Sequence, residues 1–326
     1  MSLPEFKLLR PRTVAEAVDL LGAHGSDVKI IAGGTDLIPS MRQWLFTPKY
    51  VLDIRGIEEL HRIRVVPGEG VEIGALTTLT QIEDSEFIRR NYPVLREAAM
   101  TVASPILRNM GTIGGNICLD TRCLWYNQSL TWRKSCGFCI KKDGDLCHVA
   151  PGGSFCWAAF SGDTPPALLT LAAELEIAGP RGARRVPLQD FYTRKGDLHL
   201  NLENDELLTR VFLPESRAGW KGAYMKLRLR GSIDYPLAGV AVAMKLNGTV
   251  EEARVAITAV NPAPILIPHA GSALKEKQVD EHTATVVGEL AAKAARPLTT
   301  SILTPEYRRE MVRVFTRRAV LQAARS

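Results

Sequence analysis

The chain is 326 residues long, with 41 Lys and Arg against 35 Asp and Glu, 46% hydrophobic residues, 26 Gly and 19 Pro. This composition excludes a disordered or collagen-like chain, and a net charge of only +6, carried by interleaved acids and bases, argues against a nucleic-acid partner. No run nears the ~18 consecutive apolar residues of a membrane span, and the first residues lack the basic and apolar regions of an export signal, so a cytoplasmic protein of two or three domains with no membrane partner is expected.

Val14, Ala17, Val18 and Leu21 share one helical face, and Thr13 with Glu16 forms a capping-box pair that would open that helix. A strand over 28–32 then runs into Gly33-Gly34 and the polar Thr35-Asp36. Strand, glycine pair and polar turn make a phosphate-binding pattern, because glycines let the backbone approach a pyrophosphate and successive N–H groups donate to it; a plain tight turn has the same sequence. Further strands are expected at 50–54, 63–66 and 71–76. A second glycine-rich stretch follows, Asn109-Met-Gly111-Thr112-Ile-Gly114-Gly115-Asn116-Ile117. Neither stretch has the Walker A or the Gly-x-Gly-x-x-Gly spacing, so two loops converging on one dinucleotide imply another nucleotide-binding fold.

All six cysteines, Cys118, Cys123, Cys136, Cys139, Cys147 and Cys156, fall between positions 118 and 156. That segment lacks a sustained period and is rich in Gly and Trp, so it reads as a loop wrapped around something. In a chain without an export signal the clustering points to a metal or an iron–sulfur cluster rather than to disulfides. A zinc staple, from four cysteines or from three with His148, remains open. Zinc sites usually show two close pairs, whereas only Cys136 and Cys139 are close here, and spread single ligands suit an iron–sulfur cluster better. Trp125, Trp132, Phe138, Phe155 and Trp157 could shield such a centre or form a local core.

Beyond the cysteines, Ser161-Gly-Asp163-Thr-Pro-Pro predicts a turn into a short apolar helix and a strand, with Asp163 either capping that helix or accepting hydrogen bonds from a ligand. Strands over 222–229, 237–246 and 254–260 and helices over 280–295 and 305–324 then predict an α+β C-terminal region. The last helix is basic, and Arg308, Arg309, Arg313, Arg317 and Arg318 read as a solvated face or a subunit contact. The six histidines are scattered, and no catalytic constellation stands out.

Together, Ile-Ile-Ala-Gly-Gly-Thr-Asp-Leu (30–37), Ala-Ser-Pro-Ile-Leu-Arg-Asn-Met-Gly-Thr-Ile-Gly-Gly-Asn-Ile-Cys (103–118), Ser-Gly-Asp-Thr-Pro-Pro-Ala-Leu-Leu (161–169) and Lys226 in Tyr-Met-Lys-Leu-Arg resemble the FAD-binding subunits of the xanthine oxidase family of molybdenum hydroxylases. The resemblance runs nearly end to end. It implies an α+β chain: FAD-binding subdomains over 1–56 and 57–216, of the xanthine oxidase/vanillyl-alcohol oxidase type, and a C-terminal α+β domain over 217–326. It also implies FAD contacts from Ile30, Ile31, Ala32, Gly33, Gly34, Thr35, Asp36 and Leu37 in the first loop. Thr78, Ser104, Asn109, Gly111, Thr112, Gly114, Gly115 and Asn116 would serve the second, with Asp163 and Lys226 near the flavin.

The departure from the general family pattern is an insertion over 119–160 carrying five of the cysteines, which leaves Cys118 in the common core. Arg-Cys123-x-Trp-Tyr-Asn-Gln-Ser, Cys139-x-Lys-x-x-Gly-x-x-Cys147-His-Val and Cys156 resemble the loop of the family's 4-hydroxybenzoyl-CoA reductase branch, which holds a 4Fe-4S cluster. That resemblance implies Cys123, Cys139, Cys147 and Cys156 as ligands, with Cys136 left over. It further implies a molybdopterin-binding large subunit, a 2Fe-2S small subunit, a dimer of heterotrimers and ferredoxin as electron donor. The function so implied is electron transfer for reductive removal of the phenolic hydroxyl. An FAD subunit of an oxidising molybdenum hydroxylase, with a structural metal loop, is the alternative.

Overall fold

A computed structural model describes residues 2–325. Three sheets follow one another along the chain. The first is parallel, with Tyr50–Asp53 between Lys7–Leu9 and Val28–Ile31. The helix Val14–His24 covers it, burying Ala17, Val18 and Leu21 as its period requires. Thr13 caps this helix by accepting from the Glu16 N–H, but Glu16 reaches back to the Arg12 N–H rather than to Thr13, so only half of the expected capping box forms.

The second sheet is antiparallel, in the order Ile63–Val66, Gly70–Gly74, Leu207–Pro214, Glu174–Gly179, Gly182–Pro187. Its inner face packs on short helices between 79 and 117, and on Thr164–Thr170, to form the largest apolar core. The third sheet, in the order Ile265–Leu266, Thr249–Thr258, Ala238–Asn247, Lys221–Leu227, is backed by the helices Glu281–Ala294 and Pro305–Arg325. The strand expected at 254–260 begins at Thr249, because its first residues pair across a tight hairpin with the end of Ala238–Asn247.

The last helix corrects the picture of a basic solvated face. Arg308 is only 1% exposed, and its guanidinium donates to the carbonyls of Leu237, Leu298 and Ala259, which lets a charge stand inside the domain. The remaining arginines of the five are partly or fully exposed.

The segment 119–160 is not wholly irregular. Its base is closed by paired backbone hydrogen bonds between Arg122 and Ala159, at 2.7 and 2.8 Å, and it contains a helical turn, Leu130–Ser135, capped by Ser129. The buried Arg133 donates to the Trp44 carbonyl at 2.8 Å, and Leu124 N–H donates to the Thr300 carbonyl at 3.0 Å. These bonds tie the segment to the first and last parts of the chain. No helix among the described residues is long and apolar enough to cross a membrane.

Candidate functional site

The two glycine loops meet at a cavity of about 840 Å³ whose walls come from all three sheet regions. The size suits a cofactor-sized ligand. Gly33 is where one loop rests on the other: a Cβ there would stand 1.8 Å from the Met110 carbonyl oxygen, so any side chain would force the loops apart. Gly34 has φ +72°, the left-handed turn that takes the chain from Val28–Ile31 towards the helix Leu37–Arg42. In the second loop Thr112 Oγ1 accepts from the Gly115 N–H at 3.1 Å, and a Cβ on Gly114 would meet Ala75 at 2.8 Å.

Most of the residues expected at the cofactor do line this cavity: Ile30, Ala32, Gly33, Gly34, Thr35, Asp36 and Leu37 on one side, Gly111, Thr112, Gly114, Gly115 and Asn116 on the other, and Asp163 at one end. Five do not. Ile31 packs over Gly34, Thr78 caps the helix Leu79–Asp84, Ser104 caps Pro105–Arg108, and Asn109 accepts from the Thr80 hydroxyl at 2.7 Å. Each of these shapes the loops instead of facing the cavity. Lys226 stands behind Asp163.

Asp163 does not cap the helix that follows it. Its buried carboxylate accepts from Lys226 Nζ at 2.9 Å, from the Tyr224 hydroxyl at 2.8 Å and from the Thr101 hydroxyl at 3.4 Å. Burial pushes its carboxyl pKa up, and Lys226 with the two hydroxyls works against that shift. The vacated capping role passes to Asn116, whose Oδ1 accepts from the Thr164 N–H and hydroxyl at 2.9 and 2.7 Å. The second loop and the Asp163 turn are thereby locked together.

Several cavity residues escaped the sequence reading. Asp36 is paired with Arg122 and accepts from the Tyr235 hydroxyl at 2.9 Å, while Arg122 stacks over the Tyr235 ring at 4.2 Å, so three distant segments close one rim. At another end Lys29, Asp120, Lys141, Lys142, Asp197 and His199 line the wall. Burial lowers the Lys29 pKa and takes that of His199 down to about 4. The buried Asp197 Oδ1 and His199 Nε2 have no partner within the chain, which leaves two polar atoms suited to a ligand in the cavity. These groups come together from separate segments around positions 29, 120, 141 and 198, and no local pattern marks them.

Cys123, Cys139, Cys147 and Cys156 line a second, separate void of about 10 Å³, with Trp125, Tyr126, Ile140, Lys141, His148, Val149 and Ala158 around it. Cys136 lies outside it and Cys118 lines the larger cavity. Burial raises the Cys123 thiol to about 11 and the Cys156 thiol to about 12; for Cys156, the Ala158 N–H and the Lys141 ammonium oppose the rise. Such thiols are poor nucleophiles and would lose their protons to a metal centre. Among the described residues no three His, Cys, Asp or Glu side chains are grouped to hold a single metal ion, although the four thiols share one void. A four-iron cluster gives each thiolate its own iron and needs no such single meeting point. Of the five aromatics expected near this centre, only Trp125 lines the void, stacked on His148 at 4.3 Å; Trp132 is partly exposed.

Residues 4–216 match the family model described as the FAD binding domain in molybdopterin dehydrogenase, and residues 222–323 that of the CO dehydrogenase flavoprotein C-terminal domain. The chain is 33% identical over 319 residues to the carbon monoxide dehydrogenase medium chain of Afipia carboxidovorans, covering 98% of this chain and 96% of that one. It is 34% identical over 280 residues to the aldehyde oxidoreductase FAD-binding subunit PaoB of Escherichia coli (strain K12), covering 83% and 86%. The solved cyanide-inactivated Cu,Mo-CO dehydrogenase superposes with a TM-score of 0.83 at 30% identity, covering 100% of this chain and 99% of its own. The chain therefore belongs to the FAD-binding subunits of the xanthine oxidase family of molybdenum enzymes.

Proposed function

We propose that the chain is the electron-transfer subunit of a molybdenum enzyme, joining FAD in the larger cavity to a 4Fe-4S cluster on Cys123, Cys139, Cys147 and Cys156. The observation that carries this reading is the convergence of those four thiols, and not Cys136 or Cys118, on one void beside the glycine-lined cavity. When bound, FAD stores two electrons and exchanges them singly or in pairs, and an iron–sulfur cluster passes them singly. The chain's own work is to hold the two groups apart at fixed positions. The loops around Gly33 and Gly114 bring backbone to the cofactor, the Asp163–Lys226 pair fixes one end, and Trp125 with His148 covers the cluster. Substrate chemistry would belong to a molybdopterin-binding large subunit, with a 2Fe-2S small subunit relaying electrons, in a dimer of heterotrimers.

Two directions of flow have support. The relatives named as carbon monoxide dehydrogenase, xanthine dehydrogenase and aldehyde oxidoreductase favour an oxidising enzyme that draws electrons from a substrate such as an aldehyde or a purine and delivers them through FAD. The cysteine pattern favours the reverse: electrons from ferredoxin enter at the cluster, and two of them with two protons convert 4-hydroxybenzoyl-CoA to benzoyl-CoA and water. The intact complex, purified without oxygen, decides both points. About four irons and four sulfides beyond those of the small subunit, with one FAD, are expected of the cluster, whereas zinc in their place overturns it. Turnover of 4-hydroxybenzoyl-CoA with reduced ferredoxin selects the reductive direction, and turnover of an aldehyde or purine with an artificial oxidant selects the other.

A further inference from the structure

Two residues, Tyr126 and Lys141, line both cavities and so form the wall between them. Tyr126 is buried and begins three residues beyond Cys123, to whose carbonyl its N–H donates at 3.0 Å. Lys141 follows Cys139 by two positions, and its side chain is 4% exposed. Its ammonium lies 4.4 Å from the centre of the Tyr126 ring and donates to Asp120 Oδ1 at 2.7 Å, to the Thr121 and Gly196 carbonyls at 3.1 Å each, and to the Thr121 hydroxyl. A primary amine held by one carboxylate and two carbonyls is fixed in place as a cation.

The pair is also oriented. Asp120 lines the larger cavity and not the cysteine void, while Lys141 lines both. Lys141 is thus the member of the pair that borders both cavities, and its charge reaches the Cys156 thiol, whose rise in pKa it opposes. A fixed cation in a low-dielectric wall stabilises added negative charge nearby, and each electron accepted by a cluster adds one such charge.

We propose that Lys141 is a positioning residue for electron transfer: its buried ammonium, anchored by Asp120 in the wall shared by the two cavities, raises the reduction potential of the cluster held by the four cysteines. This rests on the cluster reading given above. It predicts that electrons settle more readily on the cysteine side of the wall than thiolate ligation alone would allow.

The test is an EPR-monitored redox titration of the intact complex, with the small subunit's 2Fe-2S signals as internal references. Lys141→Met keeps the unbranched stem of the side chain up to the ε position and removes the charge. The inserted cluster's reduction equilibrium should shift at least tenfold towards the oxidised form, a fall of about 59 mV for one electron. Lys141→Arg, which keeps the charge, should stay close to the wild type, and the reference signals should not move. An unchanged potential in Lys141→Met with the cluster present overturns the proposal. If Lys141→Met fails to assemble, Lys141→Gln, which can keep the bond to Asp120, is read in the same way. Loss of the cluster signal from both neutral variants, with FAD retained, also overturns it, because Lys141 would then be a structural prop. Absence of any inserted cluster from the wild type instead defeats the cluster reading itself.

Discussion

The two cavities are walled by different materials. The larger one is bounded by backbone brought close at Gly33 and Gly114, where added side-chain atoms would collide with Met110 and Ala75. The smaller one, about 10 Å³ against about 840 Å³, is bounded by side chains: four thiols, two aromatic rings, His148 and Lys141 among them. A backbone wall cannot rotate out of the way, so its shape is set when the chain folds. A side-chain wall can turn to admit a group and depends on which atoms it offers. Changes at the first should act through sterics and at the second through chemistry.

The sharpest break between them is Cys147→Ser. The hydroxyl replaces the thiol with little change of volume, so on the proposed cluster reading the fold should persist while the iron held by the four cysteines is lost and FAD stays bound. Metal analysis and the flavin absorbance of the intact complex check this, and joint loss of FAD would mean that the two cavities are not independent. Asp163→Asn comes next. It leaves the 3%-exposed Lys226 side chain facing a neutral amide, and stripping one partner from a buried pair costs about 3–5 kcal/mol. A lower denaturation midpoint, restored in part by Lys226→Met in the same chain, is the expected result. Gly33→Ala tests the backbone wall: overpacking there should cost about 3 kcal/mol, read as roughly hundredfold weaker FAD binding with the metal content proposed for the four cysteines unchanged.

How far each region could be read in the sequence follows from the same distinction. The glycine loops were legible because a close approach demands Gly at fixed positions, and the strand before Gly33 and the cap at Thr112 are local features. The four thiols were legible as a set through their resemblance to a known loop, since no spacing rule separates Cys139 from Cys136. Asp163 was legible as a site, but the choice between a cap and a buried acceptor was not, because its partners Tyr224 and Lys226 lie in another sheet. Arg308 was misread for a similar reason: the carbonyls that bury it come from Leu237, Ala259 and Leu298, none of them on its helix. The Arg122–Asp36–Tyr235 rim is wholly tertiary, made where segments far apart in sequence cross, and the Lys141 wall is made where turns of one long loop fold back on each other and on the Gly196 carbonyl.

The smallest predicted effect probes the wall from the larger cavity. His199 faces that cavity, 4.0 Å from Asp120 Oδ1, with its Nε2 unpartnered. Burial is the main cause that lowers its pKa from the ordinary 6.5 to about 4; the Asp120 charge opposes the shift and the Lys141 charge adds to it. On acidification the unfolded chain therefore takes up this proton before the folded one does. The residue's contribution to stability is complete above pH 6.5, declines as the pH falls towards 4 and is lost below it. At 1.36 kcal/mol per pKa unit the contribution is at most about 3 kcal/mol. Denaturation midpoints of the wild type and His199→Gln, compared at pH 7 and pH 4.5, isolate it from the carboxylates that titrate in the same range. The wild type should lose more stability than the variant between those two conditions. An equal loss would mean that the imidazole is already hydrated or charged, and that the polar end of the cofactor cavity is as adaptable as the thiol-lined void beside it.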